Sequence, residues 1–252
     1  MEKQCPTTDE WAICVKGLTK SFGGCLALKG IDLEVKPGEF VVIFGPNGAG
    51  KSTLIKVLAT IMNPSSGGVT INGFDLKNSA EEIRRRLGIV THQTFLYHNL
   101  TAYENLEFYC RLYDVSHPTE RIREVMTVMG MTSRLHDRVG TLSRGMQQRV
   151  AIARAILHEP AIMLLDEPET GLDQQGVAML WRALRLTGGG KRTVILTTHN
   201  LERGLEMGER LLILAQGKIV YQGSTQSLDL TGLRQVYQET TAGKTCDSGV
   251  RS

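Results

Sequence analysis

FVVIFGPNGAGKSTLIKVL, Phe40 to Leu58, is the stretch that decides the fold. Five apolar residues in a row, Phe40–Phe44, have the length of a buried strand. The apolar spacing of STLIKVL is helical. Between them Gly45, Pro46, Asn47, Gly48, Ala49, Gly50, Lys51 and Ser52 match the phosphate-loop pattern GxxxxGK[ST], in the strand–loop–helix setting that the pattern requires. Glycines let the backbone turn tightly, so that successive N–H groups converge on phosphate oxygens, and the helix start adds its positive dipole end. Lys51 is placed for the β- and γ-phosphates and the Ser52 hydroxyl for Mg²⁺, with Thr53 next to it in the candidate nucleotide-binding set. An ordinary turn accounts for neither the ordered octet nor its two flanks.

A second strand points to the same chemistry. Ile162–Leu165 is apolar and leads into Asp166 and Glu167. A buried strand would thus deliver two carboxylates at its C-terminal end, where ligands bind in open α/β sheets. Asp166 is the candidate Mg²⁺ residue, acting through the metal's water shell. Glu167 is the candidate base that polarises an attacking water. Alone, such a pair is a common strand end; beside a phosphate loop it becomes a site.

Composition sets the frame. The 252 residues are 41% hydrophobic and 22% charged, with a net charge of +3, which suits one large or two small domains around a sizeable core. The one tight basic run, Arg84–Arg86, sits at a helix end, so no basic stripe calls for nucleic acid. Five cysteines without a CxxC pair suggest neither a disulfide framework nor a zinc site, and a reduced cytoplasmic setting is expected. No apolar run approaches the ~20 residues that span a bilayer. MEKQCPTTDE lacks the regions of a signal peptide, so work at a membrane would go through a partner.

Residues 1–10 read as a flexible N-terminus. AICVKGL and LKGIDLEV read as strands between glycine turns, and GVTINGFDL as one further strand. From about Ser79 to Leu157 the pattern is helical, with an inserted helical subdomain at about 95–157. The chain then returns to strand (AIMLLD), helix (VAMLWRALRL), strand (TVILTTH), helix (ERGLEMG) and a hairpin turning at Gln216–Gly217. From Tyr237 to Ser252 a polar tail is expected to be disordered. The fold class is therefore α/β: a P-loop NTPase core with a mainly parallel sheet, an N-terminal antiparallel β subdomain and an inserted helical subdomain, over residues 11–236.

LSRGMQQR, Leu142–Arg149, remains to be explained. Ser143 is a strong N-cap, while Gly145 costs about 1 kcal/mol against alanine inside a helix. Alone this is a capped helix with a tolerated glycine. Taken with the phosphate loop, the Asp166–Glu167 pair and His199 after TVILTT, it makes the chain resemble the ABC-type ATPases, the nucleotide-binding subunits of ABC transporters. The resemblance runs from about Trp11 to Val236. Motif order and spacing fit: Lys51 to Ser143 is 92 residues, Ser143 to Asp166 is 23.

The resemblance implies ATP and Mg²⁺ as cofactors and assigns further residues. Phe22, in TKSFGG, matches the aromatic that stacks on adenine, a packed core phenylalanine being the other reading. Gln93, in VTHQTFLY, matches the glutamine that senses Mg²⁺ and the attacking water while its loop touches the membrane subunit. Asp173, in TGLD, matches the acid of the loop exchanged between two subunits, and His199 the switch histidine on the γ-phosphate. LSRGM stands where the family keeps LSGGQ. There the bare helix start crosses a dimer interface, and Ser143 and the Gly145 N–H meet the γ-phosphate on the opposite subunit's phosphate loop. Arg144 for a glycine and Met146 for a glutamine are departures, and exporter-type cassettes resemble this variant.

The resemblance thus implies an ATPase that powers a transporter from the cytoplasmic face of the membrane, with a second ATP-binding subunit, integral membrane permease subunits and no nucleic acid as partners. The segment HQTFLYHNLTAYENLEFYCRLY looks most like the haem-exporter subunit of cytochrome c maturation. A soluble mechanoenzyme of the same superfamily, acting on ribosomes or DNA, is the alternative. It usually has a long coiled coil between the motifs or two cassettes in one chain, whereas here the interval is only 92 residues and there is one cassette. A P-loop kinase or GTPase would lack the LSRGM segment.

Overall fold

In the computed structural model, which describes residues 10–186 and 192–241, the N-terminal segments pair locally. β1 (Ile13–Phe22) and β2 (Cys25–Val35) form an antiparallel hairpin over Gly23–Gly24, both at positive φ. β3 (Phe40–Phe44) and α1 (Lys51–Leu58) flank the phosphate loop, and β4 (Ser66–Ile71) and β5 (Phe74–Asp75) follow. The stretch GVTINGFDL is not one strand. It folds back at Asn72–Gly73, φ 46° and 78°, the positive pair that an Asn-Gly hairpin turn requires. These strands make a four-stranded sheet in the order β2-β1-β4-β5.

After α2 (Ala80–Arg84) comes β6 (Leu87–Val90), a strand inside the block expected to be helical from Ser79. It is four residues long and is stabilised by a neighbour far along the chain, not by local pattern. The helical layer is α3 (Ala102–Leu112), α4 (Pro118–Val128) and α5 (Arg144–Ile156). Alternation then resumes with β7 (Ile162–Asp166), α6 (Gln174–Leu186), β8 (Thr193–Thr197), α7 (Leu201–Met207), β9 (Arg210–Ala215), β10 (Lys218–Ser224) and α8 (Leu230–Thr241). The second sheet has the order β10-β9-β3-β8-β7-β6, parallel throughout except for the β9–β10 hairpin. That hairpin turns at Gln216–Gly217, as the sequence indicates. The tail expected from Tyr237 is helical over its first five residues. Residues 237–241 complete α8, because Leu233, Val236 and Tyr237 recur at helical spacing and pack on the core. The remaining tail and residues 1–9 lie outside the described residues.

The strands of the larger sheet send alternate side chains into two separate cores. Val41, Ile43, Ile162, Leu164, Ile195, Leu212 and Leu214 point toward α1 and the antiparallel sheet. Val42, Phe44, Met163, Leu165, Val194, Leu196, Leu211 and Ile213 point toward the helical layer. Both faces are covered, which is why these strands read as unbroken apolar runs.

His158, just past α5, stacks on Tyr113 with ring centroids 3.9 Å apart and 11° between planes. Its Nε2–H donates to the Leu87 carbonyl at 3.1 Å, while buried Nδ1 has no partner among the described residues. Protonation would place a charged N–H there, and burial lowers the pKa to about 4 although the Leu87 bond opposes it. The unfolded chain takes the proton near pH 6.5. The stabilisation is therefore complete above that pH and is lost as pH falls toward 4, to the extent of about 3 kcal/mol. Urea titrations should show His158→Phe losing less stability than the parent over this window by that amount. Identical pH dependence would refute the account.

Candidate functional site

β3, β8 and β7 lie side by side at the centre of the sheet, with Ile43 opposite Thr197 and Thr197 opposite Asp166. Their C-terminal ends bring together the phosphate loop, Thr197–Thr198–His199 and Asp166–Glu167. This is the edge at which open α/β sheets bind ligands.

Backbone packing shapes the loop. A Cβ on Gly45 would come within 2.1 Å of the Leu214 carbonyl oxygen, and one on Gly50, at φ 106°, within 2.7 Å of the Ala27 carbonyl oxygen. Side chains at these positions would push the loop off the strands that it packs on. Lys51, the first residue of α1, is only 6% exposed, and its ammonium donates to the carbonyls of Gly45 (2.6 Å) and Pro46 (3.1 Å). Burial pushes its pKa below the ordinary lysine value, against the pull of Glu167 and Asp166. Ser52 and Thr53 are half-buried in the first turn, where no acid competes for an anion.

Asp166 is buried, and its Oδ1 accepts from the Thr197 hydroxyl at 2.6 Å. Glu167 has φ 49°, a left-handed conformation that costs a non-glycine residue on the order of 1–3 kcal/mol and collects at functional sites. Its N–H donates to the Thr197 carbonyl (3.1 Å) and hydroxyl (3.2 Å). His199 Nε2 lies 2.5 Å from Glu167 Oε1. Thr197, which the sequence reading passed over as a strand residue, therefore holds both acids. The candidate metal residues from the sequence all carry hard oxygen donors: the Ser52 hydroxyl, the Asp166 carboxylate and the Gln93 amide. No described group of three or more His, Cys, Asp or Glu residues can hold a metal. That set fits Mg²⁺, which is held by one or two carboxylates together with phosphates and water.

Gln93 is exposed in a tight turn, its N–H donating to the Thr91 hydroxyl (3.1 Å) and its carbonyl accepting from it (2.8 Å). Phe22, at the end of β1, is 47% exposed, with the Lys20 ammonium 5.2 Å from its ring centre. The core alternative is thus not the one adopted.

Ser143, Gly145 and Asp173 form a second cluster. Ser143 caps α5, its hydroxyl accepting from Met146 N–H at 3.3 Å. A Cβ on Gly145 would lie 3.0 Å from the Gly171 carbonyl oxygen, so the chain's own TGLD loop restricts that position. Asp173 accepts from Gly176 N–H (2.8 Å) and Arg149 (2.6 Å), which hold its pKa below the usual carboxylate range. Among the described residues no hydrogen bond or ion pair joins this cluster to the phosphate loop.

A parallel sheet with a phosphate loop on its central strand, and carboxylates on a neighbouring strand end, defines a P-loop ATPase with an inserted helical layer. The chain belongs to the ABC transporter family, whose model matches residues 28–170. It is 35% identical over 205 residues to the ABC transporter ATP-binding protein NatA of Bacillus subtilis, covering 80% of this chain and 83% of that one. It is 34% identical to the L-cystine transport system ATP-binding protein TcyN of Escherichia coli, covering 86% and 92%. Among solved structures it matches an ATP-binding subunit of an ABC transporter at TM-score 0.84 and 28% identity, over 91% of this chain and 99% of that one. It also matches a dimeric bacterial ABC transporter cassette at TM-score 0.78 and 31% identity, covering 84% and 98%. The chain is thus an ATP-binding subunit, and its domain type implies ATP hydrolysis. No helix among the described residues is long and apolar enough to cross a membrane.

Proposed function

We propose that the chain is the ATPase motor of an ABC exporter, working as a dimer of ATP-binding subunits under integral permease subunits at the cytoplasmic face of the membrane. The observation that carries this is the split of the site into two clusters without a direct bond. Lys51, Asp166, Glu167 and His199 stand on one, Ser143, Gly145 and Asp173 on the other, and a second subunit would complete each. Phe22 stacks on the adenine. Lys51 and the loop amides bind the phosphates. Ser52, Asp166 and Gln93 hold Mg²⁺, which when bound neutralises charge at the departing phosphate. Thr197 fixes Asp166, Glu167 takes the proton of the attacking water, and His199 orients Glu167. The unit spans residues 11–236, carried on to 241 by α8, with the helical subdomain at about 95–157.

Export as the direction is supported by the LSRGM variant and by relatives named for Nod factor export and daunorubicin resistance. The similarity of residues 92–113 to the haem-exporter subunit of cytochrome c maturation makes haem the first cargo to test. Beside Gln93, exposed Phe95, Tyr97 and Phe108 offer an apolar surface that a membrane subunit can cover. A photocrosslinker at Tyr97, 53% exposed, should capture an integral membrane protein. Capture of ribosomal protein or nucleic acid instead would overturn the transporter reading in favour of the mechanoenzyme.

A further inference from the structure

Behind its capped start, α5 carries two side chains that grip the Gln93 turn from both sides. Gln148 is polar yet only 3% exposed. Its Nε2 donates to the carbonyls of Thr91 (3.3 Å) and Pro168 (3.4 Å). Thr91 stands two residues before Gln93, and Pro168 directly follows Glu167. Arg154, on the same helix, donates to the Ile89 carbonyl at 2.7 Å. Its guanidinium lies 5.6 Å from the ring centre of Phe95 and 5.2 Å from that of Tyr109. Phe95, two residues after Gln93, has φ 52°, and its carbonyl accepts from the Tyr109 hydroxyl at 2.9 Å.

A buried amide pays a desolvation penalty that only its partners offset, and here the partners are the two loops that carry Gln93 and Glu167. We propose that Gln148 is a positioning residue that ties both loops to α5, so that the helix beginning at Ser143 and the two loops move as one body. This rests on the assignment of Gln93 and Glu167 made above.

The test is a double-mutant cycle on the full chain in steady-state ATP hydrolysis. Gln148→Leu keeps the volume and removes the donor. It should lower kcat by about tenfold to a hundredfold, the scale of a small misplacement of catalytic groups, and leave KM for ATP nearly unchanged. Gln93→Ala added to it should lower kcat little further, because the turn is already released. A merely structural role would lower the melting temperature and let the two effects multiply, and that result, or an unchanged kcat in Gln148→Leu, overturns the proposal. If Gln148→Leu does not fold, Gln148→Met replaces it in the same cycle, again filling the volume without a donor. A Gln93→Ala variant with normal kcat would overturn both the assignment of Gln93 and this proposal. A slow one with an independent Gln148 effect would overturn the proposal alone.

Discussion

Glu167→Gln should bind ATP as the parent does and turn it over about 10²–10⁴-fold more slowly, the usual worth of a general base. Binding should survive because the phosphate contacts lie elsewhere, on the glycine loop and the buried Lys51 ammonium. Shape should survive too, since an amide matches a carboxylate in size and the backbone of Glu167 is held through its own N–H by Thr197. What is lost is basicity: an amide does not take a proton from water. Equilibrium nucleotide binding alongside single-turnover hydrolysis separates the two effects. Hydrolysis at close to the parental rate would remove Glu167 from its proposed role.

A mixed dimer should recover activity that neither of its parents has. Lys51→Ala loses the phosphate cation, and Ser143→Arg puts a long side chain where the capped start of α5 would meet the γ-phosphate. As homodimers both should be inactive, since every composite site carries one defect. Tethered together, one site carries both defects while the other pairs an intact Lys51 with an intact Ser143, and part of the ATPase activity should return. If Ser143 served the phosphate loop of its own chain, both sites would remain damaged and nothing would return. Loss of the cap costs about 1 kcal/mol, so each variant must first be shown to fold. A tethered dimer of one unaltered and one doubly substituted chain is the reverse control, since it keeps an intact site only if Ser143 serves the phosphate loop of its own chain. Activity in that control, with none in the mixed dimer, would sink the trans reading.

The parts of the fold legible in sequence were those whose cause is local. FVVIF and IMLLD announce buried strands because both faces of the sheet are covered, and Gln216–Gly217 announces its turn through backbone geometry. β6 was hidden because its four residues owe their conformation to β7, far along the chain. α8 was partly hidden because its apolar residues are sparse, and only their meeting with the core distinguishes them from a polar tail. GVTINGFDL carried its own Asn-Gly signal inside a run that otherwise alternates like one strand. At the site, motif residues could be read because chemistry fixes their types. Thr197 and Gln148 could not. A strand threonine and a glutamine in an amphipathic helix look unremarkable until packing shows one holding Asp166 and the other buried against two loops.

The strand order has a consequence for how the protein is made. The antiparallel sheet needs nothing beyond Asp75 and can close while most of the chain is still to come. β3 differs, because its two neighbours, β8 and β9, are Thr193–Thr197 and Arg210–Ala215. At about 5–20 residues per second on the ribosome, on the order of ten seconds separates the emergence of Phe40–Phe44 from that of its partners. For that interval the apolar strand has no sheet to join, and the glycine loop after it has no Leu214 carbonyl to pack on. Nucleotide cannot template the early steps of folding. Its binding place comes into being only when β9 arrives, and until then FVVIF is a stretch that the cell must keep from sticking to its neighbours.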